Sequence, residues 1–110
     1  MAPANTPLLP GTLELVVLQL LEAEPTNGYD LAVRIQAVTR DVLTVNAGSL
    51  YPALYRLEKR GLLKAEWAAT ESGRRAKVYS VTRAGQKHLA TERKTWNRFA
   101  GALAAILNVT

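Results

Sequence analysis

The chain has 110 residues, 48% of them hydrophobic, with no cysteine and a formal net charge of +5 from 14 Lys+Arg against 9 Asp+Glu. That length builds one compact core and not two, and the lack of cysteine excludes both a disulfide framework and a thiolate metal site, which fits a reducing cytoplasm. Residues 1–54 hold two basic and five acidic groups and residues 55–110 twelve and four, so the positive charge that favours a polyanionic partner sits in the second half.

Residues 1–10 contain three prolines, which fix φ and remove backbone donors, and predict a flexible N-terminal arm. The start has neither a basic residue nor an apolar run of signal-peptide length. Nowhere do about eighteen apolar residues run uninterrupted, so the chain is expected to be soluble, unexported and cytoplasmic, with no membrane partner. From Thr12, a candidate cap, Leu13, Val16, Val17, Leu20 and Leu21 recur at the spacing of a core-facing helix that ends at Glu24-Pro25. Pro25 to Gly28 reads as a turn.

With Asn27 as cap, a second helix places Leu31, Ala32, Ile35 and Val38 on one face. Asp41 to Val45 suits a short extended piece. A third helix runs to Arg60, with Leu50, Ala53, Leu54 and Leu57 inward, and Gly61 supplies the left-handed residue that ends it. Pro52 requires either that regular helix begin near Ser49 or that its first turn be bent. Leu63–Ala69 and Ala76–Val81 then read as strands of a hairpin with basic residues at its tip, the first alternating Leu63, Ala65 and Trp67 against Lys64 and Glu66. Thr82 caps a last helix to about Asn108, in which Leu89, Trp96 and Leu103 are spaced seven apart, and Phe99 and Ile106 repeat that interval as a coiled-coil-like seam.

Three helices followed by a basic hairpin is the order of a winged helix-turn-helix, the hairpin being the wing. At roughly 100° per residue, the face of the third helix opposite Leu50, Leu54 and Leu57 carries Pro52, Tyr55, Arg56 and Lys59, a surface suited to the major groove. Arg56 has the fork to meet a guanine edge or a phosphate, Lys59 a phosphate, and Tyr55 a sugar-phosphate or a thymine methyl. Arg74, Arg75 and Lys77 give the wing its charge.

Four pieces of the chain resemble the PadR family of transcriptional regulators: GTLELVVLQLL at 11–21, GYDL at 28–31, GSLYPALYRLEKRGLL at 48–63 and GRRAKVYSVTRAGQKHL at 73–89. The resemblance covers residues 11–89, and the last helix matches the family's short subgroup in length and character. It implies a mostly α fold with a small β-hairpin. An arm (1–10) would precede a winged helix-turn-helix DNA-binding domain (11–82), and a C-terminal dimerisation helix (83–110) would complete it. It further implies a bacterial homodimeric repressor on a pseudo-palindromic operator in double-stranded DNA, released by a small molecule or another signal. By position, the family's reading segment falls on Ser49, Tyr51, Pro52, Tyr55 and Lys59, its basic wing on Arg74, Arg75 and Lys77, and a phosphate contact on Tyr29.

Blander roles stand beside these. A hairpin tip carries charge in many proteins, Tyr51 and Tyr55 can pack against the wing, and Lys59 and Arg60 complement a helix C-terminus. Trp96 either anchors the seam against a partner subunit or, as the resemblance to multidrug-responsive members implies, lines a cavity with Phe99 and Leu103 for a planar aromatic or phenolic effector. His88 has no second ligand at metal spacing, no cofactor motif is present, and no catalytic set exists, so no enzyme is expected. The competing class is a winged-helix module that binds protein or RNA without operator specificity.

Overall fold

Helices form where apolar residues recur every three to four positions, and each buries that stripe against its neighbours. The computed structural model describes residues 6–7 and 11–109. Its elements are β1 (Thr6–Pro7), α1 (Leu13–Ala23), β2 (Thr26–Asn27), α2 (Gly28–Val38), β3 (Leu43–Thr44), α3 (Ala47–Lys59), β4 (Leu63–Ala69), β5 (Arg75–Val81) and α4 (Arg83–Leu107). Of the arm expected over residues 1–10, residues 1–5 and 8–10 lie outside the described residues. Thr6–Pro7 pairs in parallel with Leu43–Thr44.

Side chains start three of the four helices. Asn27 accepts from the Asp30 N–H at 2.8 Å, Asn46 from that of Ser49 at 2.8 Å, and Thr82 from that of Gly85 at 3.0 Å. At α1 the cap differs from expectation. Thr12 is itself in the right-handed helical region, its side chain makes no cap hydrogen bond, and its carbonyl accepts from the Val16 N–H. Helix α3 begins at Ala47, two residues before Ser49, and carries Pro52 inside it. Pro52 has no amide proton for the Gly48 carbonyl, and the Asn46 carbonyl, accepting from Ser49 and Leu50, secures the first turn instead.

After α2 the chain turns through two left-handed non-glycine residues, Arg40 (φ 52°) and Asp41 (φ 66°). The turn is held by the Asp41 N–H on the Gln36 carbonyl at 2.8 Å. The Thr39 hydroxyl donates to the Ile35 carbonyl and accepts from the Leu43 N–H, which delivers the chain to β3.

The hairpin pairs Leu63 with Val81 through to Ala69 with Arg75, and β2 adds a third antiparallel strand on the other side of β5, Thr26 opposite Tyr79. One core joins Val17, Leu18 and Leu21 of α1, Leu31 and Ile35 of α2, Leu50, Leu54 and Leu57 of α3, Leu63 and Tyr79 of the sheet, and Leu89 of α4. Each fully buried aliphatic side chain contributes roughly 1.5–3 kcal/mol. Two side chains expected inward are exposed: Val38, at the last turn of α2, and Trp67, 61% exposed, where the hairpin runs on beyond the core.

Helix α4 docks by its first turns. A Cβ on Gly85 would collide with the Leu62 carbonyl, the same atom that accepts the Thr82 N–H at 3.1 Å. From Thr95 onward almost every residue of α4 is exposed. Among the described residues, no helix is long and apolar enough to cross a membrane.

Candidate nucleic-acid interface

Helical geometry sorts the surface of α3 into an outward face and two flanks. Pro52, Tyr55 and Lys59 point outward and are exposed, with the Lys59 ammonium 5.6 Å from the centre of the Tyr55 ring. Ser49 is exposed in the first turn, its amide taken by the Asn46 cap. On the flank toward α1, Arg56 and Arg60 share one carboxylate: Glu14 Oε2 lies 3.9 Å from Arg56 Nε, and Glu14 Oε1 accepts from Arg60 Nη1 at 3.1 Å.

On the other flank, the Tyr51 ring lies against Gly28 at the start of α2, where a Cβ would come within 2.6 Å of the ring. The glycine is there to admit the aromatic ring. Tyr51 is therefore packed on one side and open on the other, while Tyr29, the next residue after Gly28, is 72% exposed. On the same flank Lys77 Nζ donates to Glu58 Oε1 at 3.1 Å and lies 5.6 Å over the Tyr79 ring. The bond to Glu58 raises the Lys77 pKa above the ordinary lysine range, and burial raises that of Tyr79, the Lys77 charge opposing.

The wing turns through Thr70–Arg74. The Thr70 N–H and hydroxyl both donate to the Arg74 carbonyl (2.7 and 2.9 Å), and Gly73 takes the positive φ of +86° that the turn requires. Arg74 and Arg75 are exposed, and among the described residues neither guanidinium is in an ion pair. Ten positions singled out in the sequence are thus distributed as an outward face, a wing tip and two flanks, with three of their charges in different company. Arg56 leans on Glu14, Lys77 on Glu58, and Lys59 on an aromatic ring. Glu14, Glu58 and Gly28 carry no local signal of these roles, because their partners lie far along the chain or, for Gly28, arrive from another helix.

The seam residues divide. Leu89 is 4% exposed and belongs to the chain's own core, whereas Trp96, Phe99, Leu103 and Ile106 are exposed. The Trp96 and Phe99 rings lie 5.7 Å apart, tilted by 39°. Trp96 closes one side of an open groove of about 320 Å³, whose other walls are Leu15, Val16, Gln19 and Leu20 of α1, Ile35, Val38 and Thr39 around the end of α2, Leu43, and Arg93 and Asn97 of α4. His88 sits 3.6 Å from Glu92 one turn on, and no group of three or more metal-ligating side chains occurs among the described residues.

The model of the transcriptional regulator PadR-like family matches residues 17–91. The transcriptional regulator Rv3488 of Mycobacterium tuberculosis is 35% identical over 85 residues, which cover 77% of this chain and 78% of that one. A solved PadR-like transcriptional regulator from Bacillus cereus has a TM-score of 0.80 at 26% identity, over 91% of this chain and 95% of that one. A PadR family transcriptional regulator from Eggerthella lenta has a TM-score of 0.74 at 31% identity, over 91% and 85% of the two chains. All of these are regulators and none is an enzyme, and with its winged helices and basic hairpin this chain belongs to the PadR-like family of transcriptional regulators.

Proposed function

We propose that the protein is a bacterial, cytoplasmic repressor that acts as a homodimer on a pseudo-palindromic operator. The observation that carries this reading is the outward face of α3, Pro52, Tyr55 and Lys59, set beside a wing whose Arg74 and Arg75 have no counter-ion among the described residues. A helix with an exposed aromatic and cationic side fits the major groove, and free guanidiniums on a projecting hairpin fit the flanking phosphates. Ser49, Tyr51 and Arg56 border the same face, and Tyr29 extends it toward the phosphates at the start of α2.

Residues 11–82 form the reading unit, and the exposed half of α4 joins two of them through Trp96, Phe99, Leu103 and Ile106. Two α3 helices then lie about 34 Å apart, one turn of DNA. A planar aromatic or phenolic effector stacks on Trp96 in the groove between α1 and α4 and weakens operator binding to the extent that it prefers the dimer shape that does not fit DNA.

The test is a titration of the duplex upstream of the protein's own gene, against a random duplex, at several salt concentrations. A repressor of this design binds the upstream duplex at least tenfold more tightly. Replacing both Arg74 and Arg75 by Ala lowers the salt slope by about one per lost phosphate contact. Equal affinity for the two duplexes, or a slope untouched by the double substitution, would sink the reading.

A further inference from the structure

The inner side of the hairpin is read from its register. Leu63 with Val81, Ala65 with Tyr79 and Trp67 with Lys77 are successive cross-strand pairs on the face turned toward α3. Leu63 and Tyr79 are buried, whereas Trp67 is exposed, so the core stops between the second pair and the third. Beyond Trp67 and Lys77 the wing consists of Ala68 with Ala76, Ala69 with Arg75, and the Thr70–Arg74 turn. No ion pair or side-chain hydrogen bond ties that outer part to a helix among the described residues. At this boundary Lys77 crosses to Glu58 in the last turn of α3, next to Lys59 and one turn beyond Tyr55.

A carboxylate at that place is unfavourable for holding a polyanion, since it stands between the cations that would meet it. Its observed partner gives it another use. We propose, resting on the DNA-reading role above, that Glu58 and Lys77 are a positioning pair which fixes the wing at one angle to the reading helix, and that Lys77 is a strut and not a phosphate ligand. Among the described residues, the pair is the outermost tie between the two parts that must meet DNA together. Arg75 lies two residues farther out, about 7 Å along the strand. Small rotations at Lys77 are therefore magnified at the guanidiniums. With the tie cut, the wing is ordered only on binding, at a cost in affinity of about three- to tenfold.

The experiment uses the full chain with Glu58→Gln, Lys77→Gln, both together, and the exchange Glu58→Lys with Lys77→Glu. Affinity for the upstream duplex is measured across salt concentrations. Amide relaxation and hydrogen exchange over residues 68–76 are measured without DNA. Glu58→Gln is expected to weaken binding about three- to tenfold even though it removes a negative charge, with Lys77→Gln matching it, the double substitution no worse than either, and the exchange recovering most of the loss. The salt slope stays constant throughout, and residues 68–76 lose order in the free protein. Tighter binding by Glu58→Gln would identify an ordinary repulsive carboxylate and overturn the proposal. So would a salt slope lowered by about one in Lys77→Gln alone, which would mark a phosphate contact. If the wild type fails to prefer the upstream duplex, the operator reading falls by itself, and the order of residues 68–76 in the free variants still decides the strut: unchanged order rejects it.

Discussion

In the first half of α4, Gly85 and Leu89 are buried against Leu62 and the helical core; in the second half the same apolar spacing continues through Trp96, partly covered at the edge of its groove, to Phe99, Leu103 and Ile106, which are exposed. A helix of 25 residues is about 37 Å long, more than the small domain beneath it can cover. The periodicity is one signal serving two purposes. Where the chain's own helices reach, it builds stability; where they do not, it leaves a surface whose burial requires another molecule. Composition separates this surface from the other exposed aromatic set, around Tyr55 on α3, which is accompanied by lysine and arginine instead of aliphatic side chains.

Substitutions in the two halves of α4 should have effects that do not overlap. In the proposed homodimer, placing Asp at both Leu103 and Ile106 is expected to raise the dissociation constant by at least about 100-fold, roughly 2.7 kcal/mol, with the unfolding free energy of the monomer changed by less than about 0.5 kcal/mol. Sedimentation equilibrium and urea titration together check this, and a monomer destabilised to the same extent as the dimer would erase the distinction. Gly85→Ala should do the opposite. Its Cβ meets a backbone carbonyl that is already an acceptor, so the cost falls on folding, about 2–3 kcal/mol by urea titration, with the exposed seam left intact. Gly28→Ala brings a smaller penalty of about 1–2 kcal/mol, because the Tyr51 ring it meets is half open to solvent and can swing away. That motion would displace a residue bordering the proposed reading face, so operator affinity should fall more than stability predicts.

Much of this architecture was legible because local chemistry repeats reliably. Asn27 and Thr82 cap helices, Gly61 takes a positive φ of 74°, and period-2 alternation marks Leu63–Ala69 as the first strand of the hairpin. Two strands replace the turn expected at Pro25 to Gly28 and part of the arm expected over residues 1–10, and both lack such chemistry. Thr26–Asn27 and Thr6–Pro7 are two-residue strands, too short for any alternation to show. The left-handed turn at Arg40 and Asp41 contains no glycine to announce it. Alternation places Trp67 on a half-buried face because it gives the side of a strand and not where the core beneath it ends. The groove at Trp96 is walled by residues from Leu15 to Asn97, a convergence that only the tertiary fold creates. Among the candidate interface residues, helical spacing places Pro52, Tyr55 and Lys59 on the outward face of α3 where the structure has them, whereas Arg56, grouped with them by that spacing, lies on the flank beside Glu14; the ion pairs of Arg56 and Lys77 join residues 42 and 19 positions apart in sequence.

In the proposed operator complex, the carboxylate of Glu14 bears on how the outward face of α3 would meet an incoming anion. It holds two guanidiniums unequally, Arg60 at 3.1 Å and Arg56 at 3.9 Å. If a phosphate or a base edge drew Arg56 away in the proposed complex, Glu14 would keep the nearer arginine, and the exchange would give up only a weak, half-solvated contact worth about 1 kcal/mol or less. On that reading Arg56 is a held reserve, parked beside the face for a stronger acceptor.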